Sequence, residues 1–335
     1  MHEERAAKAA LLLLSYRRTS RHRLKAQGKG GVLLDRESMR FELAASVMPG
    51  NLRRAVMQLS AEERRTAEEI RLRAGQELSV LLPGAERSCG VVIGQEDLEA
   101  VCNLVTEFSR YAAVETLRQG YVTIRGGCRV GFCGTAVMKD GAAVNLKDFS
   151  SAVIRVAREK RGIADGLAER LFENGQFLST LILAPPGGGK TTLLRELVRC
   201  ISDGENGFEG RRIALVDERG EIAAVRQGIV QMDVGKRTDV LDGCPKAAAI
   251  PIMLRCMNPQ ILAVDEITMR ADIRAMTMAA NCGVAVLATI HASNVEELRR
   301  KPMYRELLDA GVFETAVVIR TAGGNRSCTV ESLLC

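Results

Sequence analysis

The chain has 335 residues, 47% of them hydrophobic, with 47 basic against 41 acidic side chains and a formal net charge of +6. That supplies the core of one large or two ordinary domains, and no stretch reaches the ~18–20 uninterrupted apolar residues of a membrane-spanning helix. Tryptophan is absent and aromatics make up 4%, so platforms for stacking single-stranded bases are few. The ten cysteines form no CxxC pair or metal-like block and read as reduced thiols.

Residues 1–36 read as a basic tail. AALLLL at 9–14 is too short for an anchor and lacks a cleavage site, so it is read as neither signal peptide nor membrane segment. Arg17, Arg18, Arg21, Arg23, Lys25 and Lys29 crowd behind it. A solvated, poorly ordered tail is the plain reading, and contact with anionic lipid or nucleic acid is the functional one. A small α+β domain is expected over 37–150. Ser60-Ala-Glu-Glu63 is a capping-box pattern that predicts a helix through Arg73. Residues 76–82 read as a strand closed by Pro83-Gly84, and Leu98, Val101, Leu104, Val105, Phe108 and Ala112 predict a helix over 96–117. Glycine-punctuated strands follow, with a turn at Lys139-Asp140-Gly141.

From 151 to 335 the pattern changes. Apolar strands alternate with helical segments at 180–184, 190–201, 212–217, 244–257, 260–265, 270–281, 284–290, 294–310 and 315–320. That alternation argues for an α/β domain with a mostly parallel sheet and helices on both faces. Within it, Ala184-Pro185-Pro186-Gly187-Gly188-Gly189-Lys190-Thr191 fits a phosphate-binding P-loop, with alanine in place of the first glycine. A buried strand delivers the chain to a sharp loop whose glycines let backbone N–H groups point at phosphate oxygens. Lys190 then reaches the β- and γ-phosphates, Thr191 offers a hydroxyl to Mg²⁺, and the helix from Lys190, with Thr192 in its first turn, aims its positive end at the anion.

Two apolar runs end in acidic pairs, Asp217-Glu218 and Asp265-Glu266. Carboxylates at strand ends beside a P-loop can hold Mg²⁺ through water or polarise an attacking water. A third run, VAVLATIHASN, closes on Thr289, His291 and Ser293, which puts His291 where ligands bind in open α/β sheets and suggests a γ-phosphate sensor. ATP and Mg²⁺ are therefore the expected ligands.

The order of parts resembles the secretion-type ATPases of type II and type IV machines: P-loop, acidic box, second acidic box, histidine box. EIRLRAGQ, RGGCRVGFCGTAV, APPGGGKTTLLREL, VDERGEIA and GKRTDVLDGCPKAAAI resemble, more narrowly, the sporulation stage III AA family, over about 40–335. The resemblance implies a RecA-like P-loop domain behind a smaller N-terminal α+β domain, and an ATPase in the mother-cell cytoplasm of endospore formers. Such an ATPase works as a homo-oligomer, a hexameric ring that powers a secretion-like channel to the forespore through membrane-protein partners. The shortage of aromatics and the near balance of charge in the second half weigh against direct nucleic-acid binding.

By position the resemblance makes Glu218 the acidic-box glutamate, Glu266 the Walker B glutamate preceded by Asp265, and His291 the histidine-box residue. Asp217 and Asp265 would face the nucleotide, and Thr191 would hold Mg²⁺ with Asp265 through water. Asp265-Glu266 stands where these ATPases usually have glycine-glutamate, Asn258-Pro259 where many have aspartate-proline, and the tetracysteine zinc motif of many type II members is missing. Arg125, Arg129 and Arg155 are candidates for an arginine supplied across the ring. Lys236-Arg237 is a basic pair that could touch phosphate, face the pore or be solvated. The competing readings are a nucleotide-regulated nucleic-acid binder, favoured by the basic tail, and a ring that binds ATP but turns over slowly.

Overall fold

The computed structural model describes residues 29–107, 121–204, 207–322 and 325–333. The chain divides into two compact units between Arg158 and Glu159.

In the first unit, three helices, α1 (Lys29–Ala45), α2 (Gly50–Met57) and α3 (Ala61–Thr66), precede β1 (Glu69–Arg73), β2 (Glu77–Leu82) and β3 (Ala85–Val92). Then come α4 (Gln95–Val105), β4 (Tyr121–Thr123), β5 (Arg129–Lys139) and β6 (Ala142–Arg155). The strands form an antiparallel sheet in the order β3-β2-β1-β6-β5-β4. Ile70, Leu72, Val80, Val130, Ala152 and Ile154 from the strands pack with Phe41, Leu52, Val56, Leu98 and Val101 from the helices in one core.

Three expectations change here. The helix opened at Ser60 keeps its capping box, with Ser60 N–H donating to Glu63 at 2.8 Å and Glu63 N–H to Ser60 Oγ at 3.2 Å, but it ends at Thr66 rather than Arg73. Beyond it, Ile70 and Leu72 are fully buried while Glu69, Arg71 and Arg73 are not. That period of two belongs to a half-buried strand. The expected boundary at 150 falls inside β6, whose residues Ser151–Arg155 pair with both β1 and β5. The tail expected over 1–36 is overrun by α1, which starts at Lys29. Residues 1–28 lie outside the described residues, as does the part of the expected 96–117 helix beyond Glu107.

In the second unit a short hairpin, β7 (Phe172–Glu173) and β8 (Gln176–Phe177), leads to β9 (Thr180–Ala184), α5 (Lys190–Asp203), β10 (Ile213–Asp217) and β11 (Thr238–Asp242). There follow α6 (Lys246–Met257), β12 (Ile261–Val264), α7 (Arg270–Asn281), β13 (Ala285–His291), α8 (Val295–Arg300), α9 (Pro302–Asp309), β14 (Thr315–Ala322) and β15 (Asn325–Ser332). The sheet order is β11-β10-β12-β13-β9-β14-β15, with every neighbouring pair parallel except β14–β15. Alternate residues of β9 enter two different cores. Leu181 and Leu183 join Ile250, Met253 and Met276 of α6 and α7, whereas Ile182 and Ala184 join Leu193, Leu197 and Ile201 of α5. Burial on both faces is why these strands read as unbroken apolar runs.

The helix expected over 294–310 is two, because Pro302 lacks the N–H that would continue α8 and instead starts α9. β11 and β15 were not expected. β11 is the sequence TDVLD, aspartate at both its second and last positions, and β15 pairs antiparallel to close the sheet beyond β14.

The parallel arrangement brings the carboxyl ends of β9, β10, β12 and β13 to one edge. Asp217, the last residue of β10, is 1% exposed, and its carboxylate accepts N–H bonds from Glu221 (2.8 Å), Ile222 (3.0 Å), Ala223 (2.7 Å) and Ala224 (3.4 Å). Burial pushes its carboxyl above the usual aspartate range, and these amides pull it back. The carboxylate is thus spent on folding the loop after β10. Asp217→Ala leaves several buried N–H groups without an acceptor, each worth about 1–3 kcal/mol. We expect a drop of about 3 kcal/mol or more, read from the urea midpoint. A change below about 1 kcal/mol would mean that water replaces the carboxylate.

Candidate functional site

β9 is fully buried to its last residue, Ala184, and the chain then turns through an exposed pair of prolines. Pro185 and Pro186 have no N–H to offer an anion. They shape the turn instead, and Gly188 N–H closes it on Pro185 O at 3.0 Å. Gly187 (φ 73°) and Gly189 (φ 91°) are left-handed. At Gly188 the constraint is space, since a Cβ would stand 2.6 Å from Ala184 Cβ and 2.9 Å from Pro185 O. The three glycines thus serve two needs, and the loop hands the chain to α5 at Lys190.

Lys190 is 6% exposed. Its ammonium donates to Ala184 O at 3.1 Å and to His291 Nδ1 at 2.7 Å. Burial lowers its pKa from the usual lysine value, against the pull of Asp265 and Glu266. An ammonium has only donors, so Nδ1 is the acceptor. The ring proton then lies on Nε2, which is 3.1 Å from Glu266 Oε1. The other oxygen of Glu266 takes Arg219 Nη1 at 3.0 Å.

Beside this chain of contacts, Asp265 bridges two elements. Its Oδ2 accepts from Thr191 Oγ1 at 2.8 Å, and its Oδ1 from Thr289 Oγ1 at 2.5 Å. Thr289 also accepts the N–H of Glu266 at 2.9 Å, which steadies a glutamate held at a left-handed φ of 43°. Lys190, Thr191, Asp265, Glu266 and His291 therefore stand together at the sheet edge.

Other expected residues are placed elsewhere. Glu218 pairs with Lys246, a buried residue at the start of α6. Asp217 faces inward, as described, because the loop amides claim its carboxylate. Arg237 is not at the P-loop end of α5. It donates to Ser202 O at 2.8 Å and Asp203 O at 3.3 Å, the last turn of the helix, while Lys236 N–H bonds to Asp203 at 2.9 Å. The 14 residues of α5 separate that pair from the loop by ~21 Å at 1.5 Å per residue. Thr192 lines a shallow cleft with Glu159, Arg161, Glu196 and Asp233. There Gly162 N–H bonds to Glu196 Oε1 at 2.8 Å and Asp233 N–H to Glu159 at 2.7 Å, while Arg161 pairs with Asp233.

In the first unit, Arg129 stacks over the Tyr121 ring at 4.5 Å and Arg155 lies 3.2 Å from Glu69. Arg125 is exposed in a glycine turn. Sequence reading missed Arg219, Lys246 and Arg326; the last reaches Gly187 O at 3.5 Å from β15. Arg219 directly follows the first acidic pair, and that adjacency was its only signal.

The family model for sporulation stage III, protein AA matches residues 39–331. Stage III sporulation protein AA of Bacillus subtilis (strain 168) is 36% identical over 280 residues, covering 84% of this chain and 91% of that protein. Among solved structures, the pilus retraction motor PilT with bound ADP is similar at a TM-score of 0.55 and 17% identity, over 82% of this chain and 80% of that one. The Legionella pneumophila ATPase DotB gives 0.53 and 15%, over 79% and 76%. These two likenesses bear on the fold, a RecA-like P-loop arrangement. The chain belongs to the sporulation stage III protein AA family.

Proposed function

We propose that this protein hydrolyses ATP to ADP and phosphate, and that it is the motor of a secretion-like complex serving a mother cell–forespore channel in endospore formation. The observation that carries the reading is the gathering of Lys190, Thr191, Asp265, Glu266 and His291 around one P-loop. In hydrolysis the water oxygen bonds to the γ-phosphorus, the bond to the ADP oxygen breaks, and the water's proton ends on phosphate. Catalysis here is positioning and electrostatic stabilisation. Lys190 leaves His291 for the β- and γ-phosphates, N–H groups of the loop and of the first turn of α5 face the phosphate oxygens, and Glu266 orients the water. His291, in contact with both Lys190 and Glu266, reports the γ-phosphate. Thr191 Oγ1 and Asp265 Oδ2, hard oxygen donors 2.8 Å apart, suit Mg²⁺, which prefers oxygen ligands and keeps part of its water shell. It would offset phosphate charge.

The working form in this proposal is a hexameric ring in the mother-cell cytoplasm, docked on membrane proteins. Among the described residues no helix is long and apolar enough to cross a membrane. Arg125, exposed and outside the Tyr121 and Glu69 contacts that hold Arg129 and Arg155, is the leading candidate to reach a neighbour's γ-phosphate.

The test is steady-state hydrolysis by wild type, Lys190→Ala and Glu266→Gln, with solution mass measured with and without ATP. Lys190→Ala should lose binding and turnover. Glu266→Gln should turn over about 100-fold more slowly yet bind ATP and assemble. A wild-type rate in Glu266→Gln would move the catalytic role to Glu218. Gly188→Ala forces the loop off Ala184 and Pro185, so nucleotide affinity, read with a fluorescent ADP, should fall about tenfold or more, equivalent to ~1.4 kcal/mol. An unchanged affinity would show that the loop relaxes around the methyl.

A further inference from the structure

We propose that Arg219 is a positioning residue for hydrolysis that acts through Glu266, an inference that rests on the ATPase reading above. Arg219 stands in the turn after β10, which Gly220 N–H closes on Asp217 O at 3.1 Å. The loop beyond the turn is fastened by the four amides on the Asp217 carboxylate. From that anchored turn the guanidinium reaches Glu266 Oε2, on the neighbouring strand end, at 3.0 Å.

The two oxygens of Glu266 thus have different partners. Oε1 meets His291 Nε2, whose ring is held in turn by Lys190. Oε2 meets Arg219, which comes from a different strand end. Phosphate drawing Lys190 away loosens the histidine and frees Oε1. Arg219 still holds Oε2 and keeps the carboxylate from swinging. One oxygen is fixed and the other is left to aim a water, which is the geometry an in-line attack asks of its orienting base. As an ion pair alone the contact would matter little, because the Arg219 side chain is 61% exposed and exposed pairs add little stability. Its effect is therefore looked for in turnover rather than in folding.

The experiment compares kcat, KM and the dissociation constant of a fluorescent ADP analogue for wild type, Lys190→Ala, Arg219→Ala, Arg219→Lys, Glu266→Gln and the Arg219→Ala/Glu266→Gln double variant. Arg219→Ala should lower kcat about tenfold or more, leave KM and analogue affinity within about twofold, and leave the melting temperature unchanged. Arg219→Lys should recover most of the rate. In the Glu266→Gln background the alanine should cost nothing more, since the residue it acts through is gone. An unchanged kcat in Arg219→Ala, beside an inactive Lys190→Ala, overturns this inference alone. So does an equal loss in both backgrounds, or a parallel fall in analogue affinity. Absence of Lys190-dependent hydrolysis in wild type overturns the ATPase reading along with it.

Discussion

The carboxylate of Asp265 is the joint on which the second unit turns. It takes a hydroxyl from the first turn of α5 on one oxygen and a hydroxyl from β13 on the other. Thr289, the β13 partner, then holds the backbone of Glu266. One side chain just past the end of β12, an interior strand, thereby sets the distance between the P-loop helix and the strand that carries His291. A half-buried acid bound to two hydroxyls is well satisfied, so it can serve as a fixed point without straining its surroundings.

The second constraint is electrostatic. Lys190 is buried against carbonyls and an imidazole, with two acids nearby. Burial without a full counter-ion disfavours the charged form, a cost that the polyphosphate of the proposed function would relieve. The glycines of the loop leave room for it: two through left-handed backbone, one through the absence of a side chain that would strike Ala184. The loop geometry and the buried lysine thus meet at the carboxyl edge of a parallel sheet, where the proposed function puts the nucleotide.

The second unit was largely readable from sequence because its strands are buried on both faces and its loops carry chemistry. Strings such as LILA and ILAV admit one reading when glycine and acid follow them. The first unit was less readable. Glu69-Ile70-Arg71-Leu72-Arg73 follows a capping box, and only its period of two, realised in pairing with β2 and β6, separates a strand from an extended helix. Side-chain direction was the harder limit. Asp217 and Glu218 are neighbours in sequence, yet one points into the loop amides and the other to Lys246. Arg237 stands in a glycine-flanked loop whose basic pair left phosphate, pore and solvent all open, and it satisfies the carbonyls that end a helix. Such partners are distant in the chain, so no spacing rule reveals them.

The two ends of α5 are held by different things. Its first turn is tied to Asp265, and its last turn is capped by Arg237. Midway, the Glu196 carboxylate grips Arg199 and also the N–H of Gly162, just past the point where the chain leaves the first unit. One helix of 14 residues is therefore the common mount of the glycine loop and of the segment that enters the second unit.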